Sequence, residues 1–171
     1  MSGVDELPFE FQVRPLAATD SLVNVLAVLN RASAARHYPI LVPQIEDDVR
    51  AAIAGGSCFV AVHRALCIGV VTYHRETRWI RSAYLRQLHV GVIRHIAVDP
   101  IAQRRGVGTM LLSCAEETAR IDGAGELAIV IPDAAVEIID FFERREYRLV
   151  EETDATQPLF SSVIYSKWLG S

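Results

Sequence analysis

Surplus positive charge is missing from this chain, and so are long apolar runs and paired cysteines. Its 171 residues carry 17 Lys and Arg against 21 Asp and Glu, a net charge of −4 with His neutral. No broad field therefore draws it to nucleic acid or to an anionic membrane, and neither is expected as a partner. No apolar stretch approaches the ~18 residues of a membrane span. Met1 to Glu10 has neither a basic start nor an apolar centre, so no secretion signal is expected there. The three cysteines, Cys58, Cys67 and Cys114, lie singly within apolar runs. They read as structural thiols of a reducing compartment, which predicts a cytoplasmic protein. No CxxC or HExxH occurs among them or the five histidines, so no metal site is expected.

Two nucleotide-binding patterns are absent as well. Without GxxxxGK[ST], a P-loop hydrolase is not expected. A dinucleotide fingerprint needs a third small residue where Leu111 stands, and no early strand leads into such a turn. What remains is ordinary for a globular protein, 51% hydrophobic and 22% charged. With no internal repeat and no low-complexity linker, one domain over 8–171 is expected, preceded by a disordered segment at 1–7.

The most informative stretch is Ile93 to Ile121. Ile93 to Val98 reads as a buried strand, and Asp99-Pro100 ends it, because Pro cannot donate to a sheet ladder and restricts the residue before it. A helix begins near Gly106, with Val107, Met110, Leu111, Cys114, Ala115 and Thr118 as its apolar stripe. Between them lies Gln103-Arg104-Arg105-Gly106-Val107-Gly108. A helix N-terminus leaves backbone N–H groups unpaired and partly positive, so it can receive an anion. Gly106 and Gly108 let a ligand approach the backbone, and Arg104 and Arg105 add forked donors. The loop thus reads as a pyrophosphate seat. The same glycines would also suit a plain strand-to-helix turn, and the residues by themselves leave both readings open.

Around this stretch, Phe9 to Pro15 alternates as a first strand. Thr19-Asp20-Ser21 offers caps for a helix to about Arg36, and a second helix runs from Ile45 to Ala54. Ser57 to His63 and Leu66 to Tyr73 form a hairpin, in which Gly69 marks a bulge or a close backbone approach. His74 to Val92, basic and aromatic, fits a solvated loop or an extended hairpin equally well. Glu126 to Ile131 is a strand, Asp133 caps a helix to about Arg145, and Tyr147 to Glu151 and Val163 to Trp168 close the sheet. The strands at 93–98 and 126–131, joined through a helix, should run parallel. The fold class is α/β (α+β).

Gln103, Gly106 and Gly108 match the motif [QR]-x-x-G-x-[GA] between a strand and a helix. With the flanking IAVDP and GTMLL, the chain resembles the GNAT superfamily of N-acetyltransferases. That resemblance spans nearly the whole chain. It implies an acyl-CoA N-acyltransferase fold, a mixed sheet of six or seven strands with about four helices. It further implies two central strands that splay around the pantetheine arm, with acetyl-CoA as cofactor. Its seat would comprise Ile96, Ala97, Val98, Gln103, Arg104, Arg105, Gly106, Val107, Gly108, Thr109 and Phe142. The amide of Val98 would polarise the acetyl carbonyl. A primary amine, small molecule or peptide, would attack directly in a ternary complex.

His95 is the candidate base, with Glu76 and His89 as fallbacks. His37 and Tyr38 would lie near the acceptor. The last helix departs from the family pattern N-x-x-A-x-x-[LF]-Y-E-x-x-G-F. It reads Ala135, Ile138, Phe142 and Glu146 at the Asn, Ala, Tyr and Gly positions, with Tyr147 last. Phe142 has no proton to give, so Tyr84 or water would serve as the acid. A catalytically weak or silent acyl-CoA-binding module is the alternative, and a longer acyl chain a third reading. A small sheet with free edges makes a homodimer plausible.

Overall fold

Val70 and Val71 are neighbours on one strand, both fully buried, yet they belong to different hydrophobic clusters. Successive side chains of a strand point to opposite faces, so the sheet is covered on both sides. The computed structural model describes residues 9–35, 42–55, 57–75, 82–153 and 161–170, without the side chains at 42–45 and 48. Among them, seven strands form one sheet: β1 (Gln12–Pro15), β2 (Cys58–His63), β3 (Leu66–His74), β4 (Val90–Val98), β5 (Glu126–Pro132), β6 (Arg148–Thr153) and β7 (Ser162–Trp168). Their spatial order is β1-β2-β3-β4-β5-β7-β6. Helices α1 (Leu22–Ala34) and α2 (Val42–Ala54) cover one face, packed through Val25, Val28, Val49 and Val70. Helices α3 (Val107–Ile121) and α4 (Val136–Glu143) cover the other, packed through Val71, Ile93, Leu111 and Phe142. The mixed α/β sheet implied by the resemblance is the sheet observed.

Several boundaries move, each for a local reason. β4 starts three residues before Ile93, at Val90. Gly91 hides this in the sequence, yet it is required there, because a Cβ would lie 2.5 Å from the Tyr73 ring. Gly69 satisfies both of its readings. The β2–β3 register slips beside it, and a Cβ would lie 2.9 Å from Leu111 Cδ1, so α3 rests on its backbone. The buried stripe of α3 is Val107, Leu111, Ala115 and Ala119 with Leu112 and Glu116, whereas Met110 is 51% exposed. The buried Glu116 accepts from Tyr147 Oη at 3.1 Å and Lys167 Nζ at 3.2 Å.

Asp133 does not cap α4. The helix begins only at Val136, and the Asp133 N–H instead donates to the Ser161 carbonyl at 3.1 Å. Ser21 precedes α1 without a side-chain cap bond, while Asp20 accepts two bonds from Arg14 at 2.6 and 2.7 Å. The segment 1–7, together with His37, Tyr38 and Glu76, lies outside the described residues.

The feature that positions a site is a fork. β4 and β5 pair in parallel only from Val90↔Glu126 to Ile93↔Ile129, although both strands continue. The break coincides with a β-bulge: Thr72 faces His95 and Tyr73 faces Ile93, leaving Arg94 as the extra residue. A bulge bends its strand and increases its twist. Burial records the result. Val90 to Ile93 are all buried, whereas Arg94 to Val98 are all half-exposed, on a strand at the centre of the sheet. Across the gap, Val130 of β5 is 42% exposed.

Candidate functional site

The loop leaving β4 is held by its own side chains. Asp99 is buried. Its N–H donates to the Ile68 carbonyl at 2.8 Å, and its carboxylate accepts the Ile101 N–H at 3.1 Å and Arg31 Nε at 2.6 Å. A short 3₁₀ turn, Pro100–Ala102, follows, with Pro where a missing N–H costs nothing. Gln103 Nε2 then reaches back to the Val98 carbonyl at 3.2 Å. Gln103 thus braces the loop from behind.

From there the backbone turns left-handed twice, at Arg104 (φ 59°) and Gly106 (φ 83°). Left-handed residues set among right-handed ones gather successive N–H groups into an anion-binding concavity. α3 starts directly from Gly106 with no side-chain cap, so the unpaired donors of its first turn stay available. A Cβ at Gly106 would meet nothing within 4 Å, so this glycine serves the backbone angle and leaves open space in front of it. An uncapped, open, glycine-led first turn fits a diphosphate by charge and by room. Arg104 is exposed beside it, while Arg105 lies over the Phe9 ring, 4.4 Å from its centroid.

β4 supplies the other wall. The N–H groups of His95 and Asp99 turn toward β3, to Thr72 Oγ1 at 3.1 Å and Ile68 O at 2.8 Å. An extended strand directs alternate N–H groups to opposite flanks. Ile96 and Val98 therefore aim theirs at the flank that β5 has left. Their side chains pack toward α3, whereas Ala97 packs toward α1 and α2. His95, half-buried, shares the Ala97 face.

The structure corrects the sequence reading at one aromatic. Phe142 is 0% exposed, edge-on to Phe141 and Tyr147 at 5.2 and 5.0 Å, and in this conformation it offers no surface to a ligand. The ring at the loop is Phe141, 3.4 Å from where a Gly108 Cβ would stand. Stacked on Phe141 is Arg145, its guanidinium 3.7 Å from the ring centroid, with Nη2 donating to Thr109 Oγ1. Burial, and then the charge of Arg144, hold that guanidinium below its ordinary pKa. Neither Phe141 nor Arg145 carries a signal in the sequence, because both lie more than thirty residues from the loop they touch, on a helix of no distinctive pattern.

Other candidates fall elsewhere. The Tyr84 hydroxyl bonds to Glu126, and His89 Nε2 lies 3.4 Å from the same carboxylate, beside the first residues of β4 and β5. Burial, then Glu126, push the Tyr84 hydroxyl up to about 12. A phenol so held is a poor acid, and it sits at the end of β4 opposite the loop. Cys58 is buried and pushed up to about 12 by that burial, and all three cysteines are free. Among the described residues no His, Cys, Asp and Glu cluster could hold a metal, and no helix is long and apolar enough to cross a membrane.

Comparison with known proteins agrees with this geometry. No curated protein gives a significant sequence match. Solved structures match over almost the full length. The ribosomal-protein-S18-alanine N-acetyltransferase of Escherichia coli is 17% identical, with a TM-score of 0.72, over 95% of this chain and 96% of that one. Ard1 from Thermoplasma volcanium is 15% identical, with a TM-score of 0.72, over 92% and 97%. The PaiA N-acetyltransferase from Thermoplasma acidophilum, solved in complex with coenzyme A, is 14% identical, with a TM-score of 0.71, over 93% and 99%. At such identities these likenesses speak for the fold. The acetyltransferase (GNAT) family model matches residues 27–147, most of the chain and the whole of the fork and its loop; this protein belongs to that family, whose cofactor is acetyl-CoA.

Proposed function

We propose that this chain is an N-acetyltransferase that moves an acetyl group from acetyl-CoA to a primary amine by direct attack, within a single domain over 8–171. The observation that carries the reading is the half-exposed run Arg94–Val98 on an otherwise buried central strand, opening toward an uncapped helix N-terminus. The bound cofactor supplies an activated thioester carbonyl. The N–H groups of Gly106, Val107, Gly108 and Thr109 receive the diphosphate, with Arg104 and Arg105 adding charge. Ile96, Ala97 and Val98 line the pantetheine arm, and the Val98 N–H donates to the acyl oxygen. His95, on the face toward α1 and α2, accepts the proton of the incoming amine. Holding amine and acyl carbon together at the fork supplies much of the acceleration.

A second reading, a silent acyl-CoA-binding module, is favoured by one observation: Phe142 stands at the family's tyrosine position, buried and without a proton to give. Thiol release measured across a broad panel of primary amines, beside calorimetric titration with CoA, separates the two. Turnover on any amine supports the enzyme. Binding with no turnover supports the module, and absence of CoA binding contradicts both.

A further inference from the structure

Arg145 reaches the first turn of α3. It follows the last turn of α4, and its Nη1 donates to the Phe141 carbonyl at 2.7 Å. The guanidinium, the Phe141 ring and the Gly108 backbone form three layers, 3.7 Å from guanidinium carbon to ring centroid and 3.4 Å from ring to the Cβ position of Gly108. Nη2 fixes the far end by donating to Thr109 Oγ1 in the first turn of α3. Because the threonine oxygen accepts from Arg145, its own proton remains for another acceptor. Nε is buried with no partner. That nitrogen is out of reach of an incoming anion, but Nη1 and Nη2 each carry a second N–H beyond the one used in these bonds, and a charged fork with spare donors is suited to meeting one. Arg105, meanwhile, is drawn over Phe9.

We infer that Arg145 is a diphosphate-binding residue, contributed by α4 to the seat that the Gln103–Gly108 loop begins, and that it presents the Thr109 hydroxyl to the same phosphate. This rests on the acetyl-CoA reading above. The ring of Phe141 fixes the plane of the guanidinium, so the forked geometry matters as well as the charge.

Calorimetric titration of CoA, dephospho-CoA and pantetheine into wild type, Arg145→Ala, Arg145→Lys and Arg144→Ala tests the assignment, with thermal unfolding of each apo variant as a check on folding. Arg145→Ala should weaken CoA and dephospho-CoA alike, by about tenfold or more. Pantetheine affinity should not change, Arg145→Lys should recover part of the loss, and Arg144→Ala should match wild type. Unchanged CoA affinity in Arg145→Ala overturns the inference. So does a loss confined to CoA, which would place Arg145 at the 3′-phosphate, and so does an equal loss for pantetheine, which would make its role merely structural. Should Arg145→Ala not fold, Arg145→Lys decides, a loss for both nucleotides and none for pantetheine supporting the inference and wild-type affinity overturning it. A wild type that binds no CoA defeats the acetyl-CoA reading itself.

Discussion

Gln103 Nε2 donates to the Val98 carbonyl across 3.2 Å, so the first residue of the glycine motif is bonded to the last residue of the strand it follows. The contact turns a connection into a fixed bracket. One wall of the bracket is the half-exposed end of β4 and the other is the first turn of α3. Replacing Gln103 by Ala should loosen the bracket. CoA affinity should fall about fivefold, the worth of one hydrogen bond. The unfolding free energy should change by less than about 1 kcal/mol, because the loop is at the surface. Affinity equal to wild type would show that the loop holds its shape without this bond.

His95 is half-buried on the strand past the fork, with its N–H on Thr72 Oγ1 and its side chain on the α1 and α2 face. His95→Ala should lower kcat by about a hundredfold, the lower range for loss of a general base, while KM for acetyl-CoA stays near wild type. A loss of cofactor affinity with kcat intact would move His95 out of the proton path.

Glu146 follows α4 at φ 69°, a left-handed conformation that suits glycine, and it occupies the family's glycine position. The backbone has kept the turn although the side chain has changed. Glu146→Gly should therefore raise the unfolding free energy by about 1 kcal/mol. Its ion pair with Lys167 is long, at 3.9 Å, and the Glu146 side chain is 83% exposed, so little is lost with it. A destabilised variant in denaturant titration would contradict this.

Arg14 holds Asp20 by two hydrogen bonds, and that pairing lowers the carboxyl to about 2 from 3.8. As the pH falls below about 4, unfolded chains take up a proton at Asp20 that folded chains refuse until about 2, so unfolding binds protons. The pair's contribution is fully present above that window and is lost as pH drops through it. Because both side chains are partly exposed, solvent screening keeps that contribution small. Asp20→Asn should flatten the stability profile between those pH values, and an unchanged slope would show that the pairing does not persist in solution.

The parts of this molecule legible in its sequence are those whose signal is local. Asp99-Pro100, the glycine-led start of α3 and the β2–β3 hairpin each announce themselves within a few residues, and each lies where the pattern puts it. The stripe of α3 is nearly right, but its buried face is rotated toward Leu111, Leu112, Ala115, Glu116 and Ala119, which leaves Met110 exposed. What stays hidden depends on long-range packing. Phe141, rather than Phe142, faces the loop because Phe142 is taken by Tyr147 and the core. Tyr84 is tied to Glu126, forty-two residues away, at the end of β4 opposite the loop. Gly91 looks like a strand breaker until Tyr73 is seen lying across it.

A crystal structure with CoA bound shows where the diphosphate and the pantetheine arm lie. Diphosphate oxygens should lie about 3 Å from the main-chain nitrogens of Gly106 to Thr109, with the pantetheine arm between β4 and β5 beyond Ile93. A diphosphate placed anywhere else, or a fork closed by protein side chains with CoA bound outside it, would contradict the account.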